Sequence, residues 1–138
     1  TEGADALLAA CREQGRRLAL VTSSDPWMVE IVLPRLGGAE VFEAVVTAGD
    51  VEREKPAPDP YVRARSALDP SGATAVAVED TGSGVASARA AGLPVIAVRH
   101  AFNRANDFEE ADAVVESLAP ADAFLRRVDR VAARRQRA

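Results

Sequence analysis

At residues 76–84 the chain reads VAVEDTGSG, and this stretch indicates the class of fold. Its first three residues are small and apolar, which suits a short buried strand bounded by turn residues. Glu79 and Asp80 follow directly, and an Ala-rich helical pattern begins at Val85. In an open α/β sheet, ligands bind beyond the carboxyl ends of the strands. The two carboxylates therefore occupy a position typical of a functional site, and their oxygens suit a hard cation such as Mg²⁺.

The same stretch has a purely structural interpretation as well. Asp80 or Thr81 could cap the following helix without binding any ligand. This stretch alone leaves the two interpretations open, so the rest of the chain has to separate them.

Strand-like and helix-like patterns alternate along the whole chain. Strands are predicted at 17–21, 44–47, 74–78, 94–98 and 113–115, and helices at 4–14, 26–36, 61–68 and 85–91. A last helix is predicted to run from Pro120 or Ala121 to about Arg135. Loops are predicted at 48–60, 69–72 and 100–110. This alternation predicts a single α/β domain over residues 1–138, with a Rossmann-like three-layer α/β/α arrangement and a mostly parallel sheet.

Charge, hydrophobicity and cysteine content limit the binding partners and the cellular compartment that we expect for this chain. The net charge of −4 gives no reason to expect nucleic acid or an anionic membrane as a partner. No apolar run approaches the roughly 20 residues of a membrane span, and no signal peptide is visible. Cys11 is the only cysteine, which fits a reducing compartment, so we expect a cytoplasmic protein. The arginines within 126–137 are interpreted as a solvated helix face.

Two further features of the sequence bear on function. The chain starts at Thr1 without an initiator methionine, which leads us to expect a piece of a longer polypeptide. Lys55 is the only lysine among 17 basic residues, the others being arginine. A compact ammonium gives a point charge to a phosphate in a way that a planar guanidinium does not. Chance survival of one lysine is the alternative explanation.

Polar groups follow three successive predicted strands. Thr22 and Ser23 follow the first strand, Lys55 follows the second, and Glu79 and Asp80 follow the third. All of them would lie at the carboxyl edge of one sheet. A hydroxyl and backbone N–H groups can hold phosphate oxygens, the lysine offsets their charge, and the carboxylates hold a Mg²⁺ ion that bridges to the same phosphate. The ordered set predicts a Mg²⁺–phosphate site.

Three motifs now give the chain a family resemblance. LALVTSS at 18–24, KPAPDPY at 55–61 and VEDTGSG at 78–84 resemble the second, third and fourth motifs of the haloacid dehalogenase superfamily of hydrolases. Residues 88–98 and 111–118 also resemble the subgroup of phosphoglycolate-phosphatase-like and β-phosphoglucomutase-like enzymes. The resemblance covers nearly the whole chain, and it implies a Mg²⁺-dependent phosphatase that acts on a small phosphorylated metabolite.

The resemblance also implies a role for each site residue. Thr22, Lys55 and Asp80 would be the catalytic set, and Thr22, Ser23 and Lys55 would bind the substrate phosphate. Asp80, together with Glu79, would serve the Mg²⁺ ion.

One part of the family pattern is absent from this sequence. The first motif, Asp-x-Asp-x-Thr, carries the nucleophile that becomes aspartyl-phosphate and a second Asp that acts as general acid and base. Neither this motif nor the cap domain of the subgroup is present. The resemblance therefore implies the C-terminal part of a longer enzyme, and the 138 residues alone are predicted to be inactive.

The absent motif has a structural consequence. In the family, its strand lies between the strands that end at Thr22 and at Glu79. Without it, two buried strand edges stay unpaired, which is costly in backbone hydrogen bonds. We expect a segment outside this sequence, or another chain, to complete the sheet, or else the sheet to be rearranged.

Two other functions stay open: a sugar phosphomutase of the β-phosphoglucomutase type, and a non-catalytic module that keeps the fold for interaction.

Three single residues outside these motifs are interpreted without a catalytic role. His100 could lie at the rim of the site, but a loop histidine with no role is favoured. Trp27 is expected to pack its helix, and Cys11 to lie in the core.

Overall fold

The computed structural model of the chain describes residues 2–68 and 74–137. Within these ranges the strands are β1 (Ala19–Val21), β2 (Ala44–Val46), β3 (Ala77–Glu79), β4 (Val95–Val98) and β5 (Ala113–Val115). The helices are α1 (Ala4–Glu13), α2 (Pro26–Val32), α3 (Asp59–Leu68), α4 (Gly82–Ala90) and α5 (Ala121–Arg137). The loop predicted at 69–72 lies outside the described residues. The elements alternate as the sequence predicts.

The helix after β1 is shorter than its apolar pattern. It begins with Pro26 in the first turn, where a proline costs no hydrogen bond. The α-helix ends at Val32 and continues as a 3₁₀ turn, Leu33–Leu36, that contains Pro34. Proline has no N–H to donate and its ring clashes with the preceding turn, which explains the change. Gly37 then reverses the chain with φ at +95°, a conformation that favours glycine.

All of the strand pairs are parallel. Leu20 pairs with Val45 between β1 and β2, and Val78 pairs with Ile96 between β3 and β4. Ile96 also pairs with Ala113 of β5. Among the described residues the strands form two separate sheets, one of β1 and β2 and the other in the order β3–β4–β5. The predicted α/β class with parallel strands is confirmed.

The two faces of β4 pack against different helices. Val95 and Ala97 lie in one apolar cluster with side chains of α3 and α4, whereas Ile96 and Val98 lie in a second cluster with side chains of α5. The main helical members of the two clusters are Tyr61, Val85, Ala88, Phe124 and Val131. Helices therefore cover both faces of this sheet, which confirms the predicted three-layer arrangement.

A cavity of about 540 Å³ lies between the two sheets. Its walls include residues 18–21, which contain β1, and residues 74–78, which contain most of β3. Apolar side chains of α1, α3 and α5 complete the lining, for example Leu7, Ala64 and Leu125. Each of β1 and β3 has a strand neighbour on one side only within the described residues. The predicted pair of unpaired strand edges is confirmed.

The single-residue expectations have mixed outcomes. Cys11 is buried, as predicted, and burial raises the pKa of its thiol. The prediction for Trp27 is wrong, because 60% of this residue is exposed. In α2 only Val29 is buried, so Trp27 faces solvent on the opposite side of a short helix. In the described part of the chain, no helix has the length and apolarity needed to cross a bilayer.

Candidate active site

Lys55 joins the carboxyl ends of the two sheets. It lies in the loop between β2 and α3, and only 8% of its side chain is exposed. Its Nζ donates to the carbonyl oxygen of Val21 at 3.2 Å, at the end of β1. The same ammonium forms an ion pair with Oε1 of Glu79, at the end of β3. One positive charge is therefore held between two strands that do not pair with each other.

The loop that carries Lys55 is anchored to α4. Ser87 is fully buried, and its hydroxyl donates to the carbonyl oxygen of Ala57 at 2.6 Å. The N–H of Ala57 donates to the carbonyl of Glu54 at 2.9 Å, which closes a turn around the lysine. A buried hydroxyl that bonds a backbone carbonyl fixes this loop against the sheet. The backbone that carries the lysine side chain is therefore fixed in position.

Glu79 is buried and surrounded by donors. Its Oε1 accepts from the Tyr61 hydroxyl at 2.5 Å as well as from Lys55. Burial and the charge of Glu79 raise the pKa of the Tyr61 phenol, so this hydroxyl stays a donor at neutral pH. A Cβ at position 84 would collide with the Glu79 carboxylate, which explains the glycine there. The carboxylate thus serves to hold Lys55.

Asp80, the next residue, has the opposite environment. Its side chain is 56% exposed, and its Oδ2 lies 3.3 Å from Nε2 of His100. Thr81 caps α4, since its hydroxyl oxygen accepts from the N–H of Gly84 at 3.0 Å. The capping role that sequence analysis leaves open therefore belongs to Thr81. The Asp80 carboxylate takes no part in it and faces solvent at the carboxyl end of β3.

Thr22 lies at the equivalent end of β1. Its N–H donates to the carbonyl of Val46 at 2.9 Å, which extends the pairing with β2. Its hydroxyl oxygen accepts from the N–H of Ser24 at 3.1 Å. Because the oxygen accepts in this bond, the hydroxyl hydrogen can be donated to another acceptor. Ser23 is exposed beside it.

Of the predicted site residues, the structure brings Lys55 and Glu79 into direct contact. Within the described ranges, no hydrogen bond joins Thr22, Ser23 or Asp80 to Lys55. They share the same edge of the structure because β1 and β3 end there. A phosphate bound at this edge could contact all three kinds of group, which is an arrangement typical of phosphate sites.

The side chains at this edge provide only some of the ligands that a magnesium ion needs. Residues 2–68 and 74–137 contain no group of three or more His, Cys, Asp or Glu side chains placed to hold a metal. Asp80 offers an exposed carboxylate, whereas Oε1 of Glu79 is engaged by Lys55 and Tyr61. Mg²⁺ is often bound through one or two carboxylates, with water and phosphate oxygens as the other ligands. Asp80 fits that role.

Sequence reasoning missed two contributors to this edge. Tyr61 closes the stretch 55–61 and is the only tyrosine of the chain, which is the signal that could have drawn attention to its hydroxyl. Asn103 is 4% exposed and donates to the carbonyl oxygens of Asp80 and Val98, both at 2.8 Å. Its position in an irregular loop gives no comparable signal.

Comparison with known proteins finds similar sequences and structures. The chain is 40% identical over 126 residues to a phosphoglycolate phosphatase of Cupriavidus necator, which covers 89% of this chain and 54% of that protein. A crystal structure of CbbY from Rhodobacter sphaeroides in complex with phosphate has a TM-score of 0.78 and 33% identity, covering 86% of this chain and 54% of that one. The structure of a Thermotoga maritima protein proposed to be a β-phosphoglucomutase has a TM-score of 0.76 and 27% identity, and the match covers 93% of this chain and 60% of that one.

The length of the aligned regions shows how far the similarity extends. The chain spans about half the length of the curated relatives it matches. The family profile described as haloacid dehalogenase-like hydrolase matches residues 1–98, which is well over half of the chain. The motifs at 18–24, 55–61 and 78–84 all lie within that match. The chain therefore belongs to the haloacid dehalogenase-like hydrolase family, as its motifs predict.

Proposed function

We propose that this chain is the phosphate-binding part of a Mg²⁺-dependent phosphomonoester hydrolase whose substrate is a small phosphorylated metabolite. The observation that carries the proposal is the buried ammonium of Lys55, held between Val21 and Glu79 at the carboxyl ends of β1 and β3. A positive charge fixed at this edge suits a bound phosphate. The 40% identity to a phosphatase supports the same class of reaction.

The nucleophilic aspartate is proposed to lie on a segment outside these 138 residues. The cavity between β1 and β3 supports this part of the proposal, because both walls present a strand edge without a strand partner in the described ranges. A parallel strand inserted there would end beside Thr22 and Asp80, at the edge where ligands bind. The matched relatives are about twice as long as the alignment, so they have residues to supply such a strand.

The residues of this chain have distinct roles in the proposed reaction. The Thr22 hydroxyl and the backbone N–H of Ser23 donate to phosphate oxygens, and Lys55 offsets their negative charge. Glu79 keeps Lys55 in place, and Asp80 holds the metal. A bound Mg²⁺ would neutralise charge that develops on the transferring phosphoryl group. The aspartate carboxylate outside this chain would bond to phosphorus as the ester P–O bond breaks, and the alkoxide would leave as the alcohol with a proton from the second aspartate of the absent motif. Water, giving its proton back to that second aspartate, would then hydrolyse the acyl phosphate to inorganic phosphate and the free carboxylate.

A sugar phosphomutase is the second candidate, because one similar structure is that of a protein proposed to be a β-phosphoglucomutase. The two reactions share the phosphorylated aspartate and differ in the acceptor, which is water in one and a sugar phosphate in the other. Release of inorganic phosphate with each turnover identifies the hydrolase. A non-catalytic module is the third possibility, and failure of the full-length protein to bind Mg²⁺ would favour it.

The proposed role of Lys55 is tested by hydrolysis of a panel of phosphomonoesters by the full-length protein with Mg²⁺. Lys55→Ala is expected to lower turnover by about a thousandfold, since it removes the fixed charge at the phosphate. Arg53→Ala is a matched control, because its cation lies two residues upstream, is 71% exposed and pairs with Asp59 instead. Near-normal turnover in Lys55→Ala would contradict the site assignment.

The proposed metal ligand is tested by the Mg²⁺ dependence of the same reaction. Asp80→Asn is expected to raise the Mg²⁺ concentration for half-maximal activity by about tenfold or more. Asp107→Asn, which changes an exposed carboxylate in the loop between β4 and β5, controls for the loss of negative charge near the site. A Mg²⁺ titration unchanged by Asp80→Asn would rule out this ligand.

A further inference from the structure

We propose that His100 is a positioning residue, which orients the Asp80 carboxylate for the metal through a hydrogen bond from Nε2 to Oδ2. The proposal rests on the proposed function, because it takes Asp80 to be the metal ligand. It assigns a role to a loop histidine that sequence analysis favours as having none.

The loop between β4 and β5 is tied to the ends of two strands by Asn103. The Asn103 amide nitrogen donates to the carbonyl of Val98, at the end of β4, and to that of Asp80, just beyond β3. Its Oδ1 accepts from the backbone N–H of His100 at 2.8 Å. Asn103 is almost fully buried, so water does not compete for these bonds. The backbone of His100 is therefore fixed relative to Asp80.

The ring of His100 is oriented by a second contact. The backbone N–H of Phe102 donates to Nδ1 of His100 at 3.2 Å. Because Nδ1 accepts this bond, the proton of the neutral imidazole lies on Nε2. That nitrogen lies 3.3 Å from Oδ2 of Asp80 and donates to it. The protein thus defines both the position and the tautomer of the ring.

Asp80 is consequently held by two groups from the same loop. Asn103 holds its backbone carbonyl, and His100 holds one oxygen of its carboxylate. The other carboxylate oxygen can face a cation. An exposed carboxylate without such a partner would lose rotational freedom on binding the metal, and this loss weakens affinity. Carboxylate ligands of metals are themselves commonly hydrogen-bonded, and loss of such partners typically costs 10- to 100-fold in affinity.

The test measures the Mg²⁺ dissociation constant of the full-length protein by isothermal titration calorimetry, independently of activity. His100→Ala is expected to weaken Mg²⁺ binding by about tenfold. His100→Gln should restore most of the affinity, because its side-chain N–H can occupy the place of Nε2–H. Ala105→Ser is the matched control, since Ala105 is an exposed, uncharged residue of the same loop. Phe102 is less suitable, because its ring lies 6.2 Å from the ring of His100. We expect the control to bind Mg²⁺ with unchanged affinity.

The outcomes separate this proposal from the proposed function. If Asp80→Asn weakens Mg²⁺ binding but His100→Ala does not, the positioning role is wrong and the metal ligand stands. An equal loss in His100→Ala and Ala105→Ser would reveal a general effect of the loop and would also overturn the positioning role. If the unmodified protein does not bind Mg²⁺, or if Asp80→Asn binds it normally, the proposed metal site is wrong. The positioning role of His100 is then wrong as well, because it depends on that site.

Discussion

Strand β4, at the centre of the three-stranded sheet, and strand β1, in the two-stranded sheet, are buried to very different extents. All four residues of β4 are at most 4% exposed, whereas all three residues of β1 are only half-buried. The strand β4 has a strand on each side and helices on both faces, whereas β1 has one strand neighbour and borders the cavity. The same kind of apolar sequence therefore gives a closed core in one sheet and an open edge in the other.

This difference matters because the candidate site draws on both sheets. Glu79 and Asp80 extend from the well-packed sheet, and Thr22 extends from the open one. Lys55 is the contact between them, through Val21 on one side and Glu79 on the other. The alignment of the Thr22 hydroxyl, the proposed phosphate donor, with the Asp80 carboxylate, the proposed metal ligand, therefore depends on how firmly the two sheets are held together. Filling the cavity would be one way to hold them.

The largest expected effect on stability comes from truncating one apolar side chain in each sheet. Ile96→Ala should lower the free energy of unfolding by about 3 to 4 kcal/mol, because Ile96 is fully buried in β4. Leu20→Ala in β1 should cost about 1 kcal/mol, since Leu20 is half-buried and already borders the cavity. Urea-induced unfolding of the two variants measures the difference. Equal losses would show that β1 is as tightly packed as β4.

An intermediate effect is expected at the buried cluster that joins the two sheets. Tyr61→Phe removes one of the donors to Glu79 without changing the shape of the ring. The free energy of unfolding should fall by about 2 kcal/mol, because the hydroxyl bonds a charged, buried acceptor. Urea-induced unfolding again measures it, with Val62→Ala in the same helix as an exposed control. A loss no larger than that of the control would mean that Lys55 alone satisfies the carboxylate.

The buried cluster of Tyr61, Glu79 and Lys55 should also make the stability of the protein depend on pH in the alkaline range. Folding raises the pKa of Tyr61, whereas an unfolded tyrosine ionises near 10. Stability from this group is therefore complete below about pH 10 and is lost as the pH rises further, since only the unfolded chain ionises. Tyr61 is the only tyrosine of these 138 residues, and the difference in tyrosinate absorbance between the original protein and Tyr61→Phe reports on this phenol. Ionisation near pH 10 while the chain remains folded would contradict the buried hydrogen bond.

The sequence predicts the order of the elements well and their limits less well. The strand expected from Arg17 begins at Ala19, and the one expected from Thr74 begins at Ala77. Apolar patterns identify a strand, but its ends depend on where a neighbouring strand supplies hydrogen bonds. Trp27 shows a related failure, because an apolar helix pattern does not reveal which face has a packing partner.

The candidate site, like the fold, could be predicted from the sequence only in part. Lys55 and the pair of carboxylates could be chosen from residue type, spacing and family resemblance. The sequence could not reveal that Glu79 is buried against Lys55 whereas Asp80 faces solvent, because this depends on which side of β3 the α3 helix packs. The contact of His100 with Asp80 depends on the path of a loop fixed by Asn103, and no local pattern predicts such a path.

The smallest expected effect lies at the end of β2, in the open sheet. The Asp50 carboxylate accepts from the N–H and the hydroxyl of Thr47, at 2.7 and 2.8 Å, and these bonds lower the pKa of Asp50. Asp50→Ala should cost about 1 kcal/mol or less at neutral pH, since solvent weakens the interaction. A depressed pKa in the folded state means that this stability is present above the unfolded pKa of about 3.9 and is lost as the pH falls through the folded value. The difference between the variant and the original chain should therefore shrink below about pH 4, which urea-induced unfolding at several pH values measures. A difference that is constant over this range would mean that Asp50 stabilises the turn through packing instead of through its charge.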